Sequence, residues 1–178
     1  MQPTLLIASP QMQDPFFERT VVLVWHYDAE GAVGVVVNRP LKHMLSDVVE
    51  VEEDVDLTAY SDMAVFWGGP VDSAFGTVVT QGAVTDEEGW QLASGLGVTR
   101  SQEALFRLLE NGSPLMLCLG YAGWSAGQLD REIELGGWLW TDCDPNLVFE
   151  VPADQRYDTA LATLGMTPET VWMPPIAE

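Results

Sequence analysis

The pentapeptide Gly123-Trp124-Ser125-Ala126-Gly127 makes the sharpest chemical suggestion in the chain. It matches G-x-S-x-G, the turn that carries the nucleophile of many serine hydrolases. The apolar run PLMLCLG (114–120) before it reads as a buried strand. The segment QLDREIE (128–134) after it reads as a helix. A serine nucleophile needs a base within hydrogen-bond reach, and this class supplies a histidine later in the chain. No histidine follows Ser125. The two present are His26, in the strand-like TVVLVWHY, and His43, in the loop PLKHML; Lys42 is the single lysine. The catalytic set is incomplete, so no catalytic residue is assigned. Ser125 and Gln128 instead fit a capping box. In that arrangement the serine oxygen accepts from the Gln128 N–H, and the glutamine side chain reaches back to the Ser125 N–H. The sequence therefore predicts a helix over 126–135 entered through Ser125, with Gly120, Gly123 and Gly127 serving the turn.

A second chemistry suits the same stretch. A glycine-rich turn feeding a helix N-terminus can hold an anion. Tyr121 and Trp124 are then either pocket walls or core anchors. Arg19, Asn38, Arg39 and Gln128 supply the polar groups for a small anionic ligand. Each also has a plainer use: Arg19 pairing with Glu18 or Asp14, Asn38 bonding its own turn, Gln128 completing the cap. Metal chemistry finds little support. EVEEDVD (50–56) holds five acids in seven residues. It lacks the glycine and ligand order of a calcium loop and reads as a solvated loop. Cys118 and Cys143 form no C-x-x-C pair, which argues against zinc or a disulfide framework. No cofactor is implied.

Charge narrows the partners. The chain has 27 acids against 7 bases, a net of −20, and its arginines are scattered. Nucleic-acid binding depends on Lys and Arg neutralising phosphates, so direct DNA contact is not expected. A basic protein or a small anionic ligand remains. No apolar run approaches the roughly 20 residues that span a bilayer, and no signal-peptide pattern opens the chain. A cytoplasmic protein off the membrane, folded as one domain over 1–178, is the expectation.

These residues need elements to hold them. TLLIAS (4–9), TVVLVWHY (20–27) and AVGVVVN (32–38) read as strands, the last two joined as a hairpin by Asp28-Ala29-Glu30-Gly31. DPFFER between the first two is a turn pinned by its phenylalanines. LSDVVE reads as a short helix capped by Ser46. AVFWGGPV (64–71) is a strand ending in the corner Gly68-Gly69-Pro70. FGTVVTQG (75–82) and ASGLGVT (93–99) follow as strands. A helix then opens at Thr99 or Ser101, with Leu105, Leu108 and Leu109 on one face and Phe106 beside them, and stops at Asn111-Gly112. WLWT (138–141) and LVFEV (147–151) read as strands. A last helix runs from Asp154 to Leu164, and the Pro-rich tail is extended. Strands lead and helices mix in later, an α+β pattern.

Five ordered blocks carry a resemblance. LLIASPQMQDPFFERTVVLV, GAVGVVVNRP, VFWGGPV, GVTRSQEALFRLLENGSP and GYAGWSAGQLDREI resemble, in order, those of the AlgH/YqgE family of bacterial proteins, over about residues 4–165. The resemblance implies a strongly curved, barrel-like, mainly antiparallel β core flanked by helices. It also implies a regulatory protein with no established reaction, labelled a transcriptional regulator. Family members commonly carry glycine where Ser125 stands, which suits helix entry. They usually end the strand after the Gly-Gly-Pro corner in histidine, near Thr80 here.

Overall fold

The computed structural model describes residues 4–51 and 56–167. Its core is one curled sheet of ten strands. They are β1 (Thr4–Ala8), β2 (Val21–Asp28), β3 (Gly31–Val36), β4 (Pro40–Met44), β5 (Ala64–Trp67), β6 (Val71–Thr80), β7 (Gly89–Gln91), β8 (Gly97–Thr99), β9 (Leu115–Ser125) and β10 (Trp138–Asp142). The main path runs β10-β1-β2-β3-β9-β6-β8-β7, with β5 on β9 and β4 on β5. Every pair is antiparallel among the described residues except β5 with β9. Among the described residues five α-helices flank the sheet: α1 (Leu45–Val48), α2 (Gln102–Glu110), α3 (Gln128–Glu134), α4 (Pro145–Phe149) and α5 (Arg156–Thr163). The expected curved α+β architecture is what forms.

The β-branched and leucine-rich runs explain the centre. Leu5, Leu6 and Ile7 of β1, Val21–Val24 of β2 and Val35–Val37 are all sealed from solvent. Such unbroken apolar runs suit strands covered on both faces. The β2–β3 hairpin is tighter than the four-residue link expected. Only Ala29 and Glu30 lie outside the strands, and the Glu30 N–H donates to Asp28 Oδ1 at 2.8 Å. Helix α2 follows its pattern: Ser101 is the cap, its Oγ accepting from the Ala104 N–H at 3.2 Å, and Leu105, Leu108 and Leu109 are buried.

Several boundaries differ from the sequence reading. LVFEV is not a strand. Asp144 accepts from the Asn146 N–H at 3.0 Å and Pro145 opens the helix, so this start signal fixes α4 despite the β-branched content. Ser46 lies inside α1; Asp47 Oδ2 accepts from the Met44 N–H at 2.8 Å and closes that helix start. Of ASGLGVT only Gly97–Thr99 is strand, because Gly95 turns the chain at φ 91°. Strands β4 and β7 were not anticipated, and His43 lies exposed on β4 rather than in a loop. Four residues of EVEEDVD (52–55), and the tail from 168, lie outside the described residues.

Strand β9 is the hub, and two glycine corners make it one. Leu117–Leu119 pair with β6 on one side and with β5 on the other. Beyond Gly120, at φ 76°, residues 122–125 pair with β3 instead. Gly68 bridges this handover: its N–H donates to Leu119 O at 2.7 Å, and its carbonyl accepts from the Val36 N–H at 2.8 Å. A Cβ on Gly69 would lie 2.1 Å from the Tyr121 carbonyl carbon, and one on Gly120 2.4 Å from Gly69 O. Backbone rests on backbone here. Gly69→Ala or Gly120→Ala is expected to cost roughly 3 kcal/mol or more in urea unfolding. Gly112→Ala, also at positive φ but in open space, should cost only about 1 kcal/mol.

Candidate functional site

Ser125 ends β9 rather than opening a helix. The strand runs on through Gly120 and Gly123 to Ser125, Ala126-Gly127 make the turn, and α3 begins at Gln128 after Gly127 at φ 70°. Half of the expected capping box forms: the Ser125 N–H donates to Gln128 Oε1 at 3.0 Å. The Ser125 hydroxyl also meets Gln128 Oε1, at 3.2 Å, instead of accepting from the Gln128 N–H. The helix cap is Gly127, with no side-chain bond. Gly123 is exposed in the strand, paired with Val33. Neither histidine serves Ser125. His26 is on β2, separated from β9 by β3, and its Nε2 lies 2.9 Å from Asp28 Oδ2. The Asp28 carboxyl is held below its ordinary value, chiefly by the Glu30 N–H and further by His26.

Glu132 is the node of this region. Its Oε2 accepts from the indole N–H of both Trp124 and Trp138, each at 2.9 Å. Its Oε1 accepts from Gln128 Nε2 at 2.9 Å. The two indoles meet edge to face at 5.9 Å, and Phe17 packs on both, at 6.2 and 5.6 Å. Glu132 is half-buried because both tryptophans turn their N–H groups to it. A cavity of about 380 Å³ opens here, with Met12 and Phe17 as apolar wall and Asp14, Gln128 and Glu132 as polar wall. The Gln128–Glu132 pair is legible as an i, i+4 spacing. The role of Trp138 is not, because it arrives from another strand.

The arginine blocks lie on the other side of DPFFER and are committed to internal partners. Asn38 Oδ1 accepts from the Val21 N–H and its Nδ2 donates to Arg19 O, both at 2.9 Å. It therefore clamps residues 19–21, where Arg19 sits at φ 54°, instead of bonding its own turn. The Arg19 guanidinium pairs with Asp158 at 3.3 Å and lies over the Tyr157 ring; neither Glu18 nor Asp14 is its partner. Arg39 donates to the Phe16 carbonyl and, at 2.5 Å, to the Glu18 carbonyl, and it stacks on Trp67. Burial lowers its pKa, countered by Glu18 and Asp14. Together these bonds pin DPFFER so that Phe16 stacks on Trp67 and Phe17 on Trp124.

Tyr121 belongs to a third group. Its ring lies under Arg100, at 4.8 Å. The expected site residues thus separate into three places: Gln128 and Trp124 beside Glu132; Arg19, Asn38 and Arg39 behind DPFFER; and Tyr121 beside Arg100. Thr80 is buried and structural. Its hydroxyl donates to Pro114 O at 2.7 Å and accepts from the Gly82 N–H at 2.8 Å. Both cysteines are buried free thiols, and burial pushes each up to about 12. Among the described residues no cluster of His, Cys, Asp or Glu is arranged to hold a metal.

Fold and staples together define a curled α+β protein in which the polar residues of the shared blocks lock one strand handover and one loop in place. The chain belongs to the AlgH-like family (DUF179), whose model matches residues 5–169. It is 37% identical over 166 residues to the UPF0301 protein RSc0675 of Ralstonia nicotianae, covering 92% of this chain and 87% of that one. It is 38% identical over 170 residues to the UPF0301 protein PBPRA3139 of Photobacterium profundum, covering 92% and 91%. Among solved structures, the AlgH protein of Pseudomonas aeruginosa superposes with a TM-score of 0.78 at 31% identity, covering 98% of this chain and 95% of that one. Protein DIP2367 of Corynebacterium diphtheriae shares the fold at 22% identity, with a TM-score of 0.75 and coverage of 97% and 92%.

The indole pair sets an energetic expectation. Glu132→Ala leaves two indole donors without an acceptor and should cost roughly 2–4 kcal/mol. Glu132→Gln keeps one accepting oxygen and should cost about 1 kcal/mol or less. Denaturant unfolding of both variants measures the difference.

Proposed function

We propose that this chain is a non-catalytic cytoplasmic regulatory protein that acts through a protein or small-ligand contact and not by touching DNA. One observation carries the reading: the disposition of its seven basic side chains. Five are engaged by other groups of the chain. Arg19 pairs with Asp158 and Arg107 with Glu88, the latter at 2.7 Å. Arg39 holds loop carbonyls, and Arg100 lies among aromatic rings. Buried Arg156 donates to Val37 O at 2.5 Å and Val151 O at 2.9 Å. Among the described residues, only the side chains of Lys42 and Arg131 make no hydrogen bond or ion pair. Two cations against a net charge of −20 give phosphates no footing. The same charge draws in a basic partner. The cavity beside Glu132, apolar on one wall and acidic on the other, suits a contact of that kind. The lack of a base for Ser125 supports a role without catalysis.

Two measurements test the reading. Fluorescence anisotropy of labelled duplex DNA, at low and at physiological salt, should show no binding at micromolar protein. Tight, salt-sensitive binding overturns the proposal. A fluorophosphonate probe should leave the protein unlabelled, equally in wild type and in Ser125→Gly. Labelling that disappears in the variant restores the hydrolase reading.

A further inference from the structure

We infer that Arg100 anchors a binding site for a small organic monocarboxylate, the guanidinium taking the carboxylate and the neighbouring cavity taking an apolar body. The inference goes beyond the regulatory reading and does not depend on it. Arg100 stands between β8 and the α2 cap Ser101. Three rings surround its Cζ: Tyr121 at 4.8 Å, Phe75 at 5.0 Å and Trp25 at 5.5 Å. Its Nε donates to Thr77 Oγ1 at 3.2 Å. Its Nη2 is buried and meets no acceptor among the described residues. In a chain with 27 acids, no described carboxylate pairs with it. A buried donor on a charged group without an acceptor is costly, and one in a native fold calls for an explanation. The rings hold the cation in place through their faces and accept no hydrogen bond from Nη2.

A cavity of about 370 Å³ adjoins this group, within the usual range for small ligands. Arg100, Ser101 and Gln102 give it a polar side. Phe75, Leu105 and Leu119 give it an apolar one. Phe75 is 47% exposed, on the stretch of β6 where register with β9 slips between Val71 and Gly76 and Asp72 adopts φ 46°. Register slips and positive-φ residues of this kind are over-represented beside functional sites. A planar carboxylate matches the guanidinium fork. Glu50 lines the same cavity. A fixed negative charge there admits one anionic group and disfavours a second, which selects a monocarboxylate over phosphate or a dicarboxylate.

The test titrates the full chain with benzoate, its neutral isostere benzamide, and inorganic phosphate, read by tryptophan fluorescence and by amide chemical shifts. Benzoate should bind saturably and shift Thr99–Gln102. Benzamide and phosphate should bind at least about tenfold more weakly. Arg100→Lys should weaken benzoate roughly tenfold, and Glu50→Gln should strengthen it a few-fold. The second variant leaves the aromatic cluster intact, so the proposal stays testable if changes at Arg100 disturb folding. Absence of saturable benzoate binding, equal binding of benzamide, tighter binding of phosphate, or indifference to both substitutions overturns it.

Discussion

The contact between Gly68-Gly69 and Gly120-Tyr121 is the constraint on which the rest of the molecule depends. Strand β9 serves two parts of the sheet in succession, and it changes partners where these two backbones touch. No side chain fits between them. A strand that stayed straight would pair with β6 along its whole length and leave β3 with β2 as its single partner. The bend at Gly120 curls the sheet, carries Trp124 to the Glu132 side and leaves Tyr121 on the Arg100 side. The two cavities are therefore products of one corner.

Arginine has an unusual place in this protein. Arg39 and Arg156 donate to main-chain carbonyls and stack on rings, so they act as multidentate clips for chain that has no ladder of its own. Burial lowers the pKa of both, yet a guanidinium remains charged at any physiological pH. Lysine would offer neither the fork nor the flat face. Glu132 plays the matching part for donors, with one carboxylate satisfying two indoles and an amide. Polar groups that look like binding chemistry in the sequence thus become the fasteners of an irregular loop.

Much of the fold was legible because it is written locally. The apolar runs of β1, β2 and β3 and the leucine face of α2 are statements about neighbours a few residues apart, and they hold. The AlgH-like blocks supplied the curvature. What failed was local too, where two signals competed. In LVFEV the β-branched residues lost to Asp144-Pro145. In GYAGWS the glycines suggested a turn, but β3 and β6 supply enough partners to continue the strand through them, with a bend at Gly120 alone. The site was less legible. Asn38 and Gln128 stand out in the sequence, but what they bond could not be read from their neighbours. Trp138 lies 14 residues beyond Trp124 and meets the same carboxylate only because β10 returns along β1. Arg100 sat inside a helix-start signal and drew attention to capping rather than to Thr77 and the rings around it.

The sheet does not close on itself. It ends at β10 on one side and at β7 on the other, and among the described residues neither pairs with a further strand. Each end bears an exposed tryptophan, Trp140 and Trp90. Open edges with aromatic side chains are places where one molecule can extend the sheet of another. The strands there are short, three and five residues, and every approaching copy carries the same charge of −20. That repulsion reaches about 10 Å at 0.1 M salt, roughly two strand spacings. The acidity therefore acts as a colloidal barrier, holding like molecules apart at the distance where edge-to-edge stacking would begin.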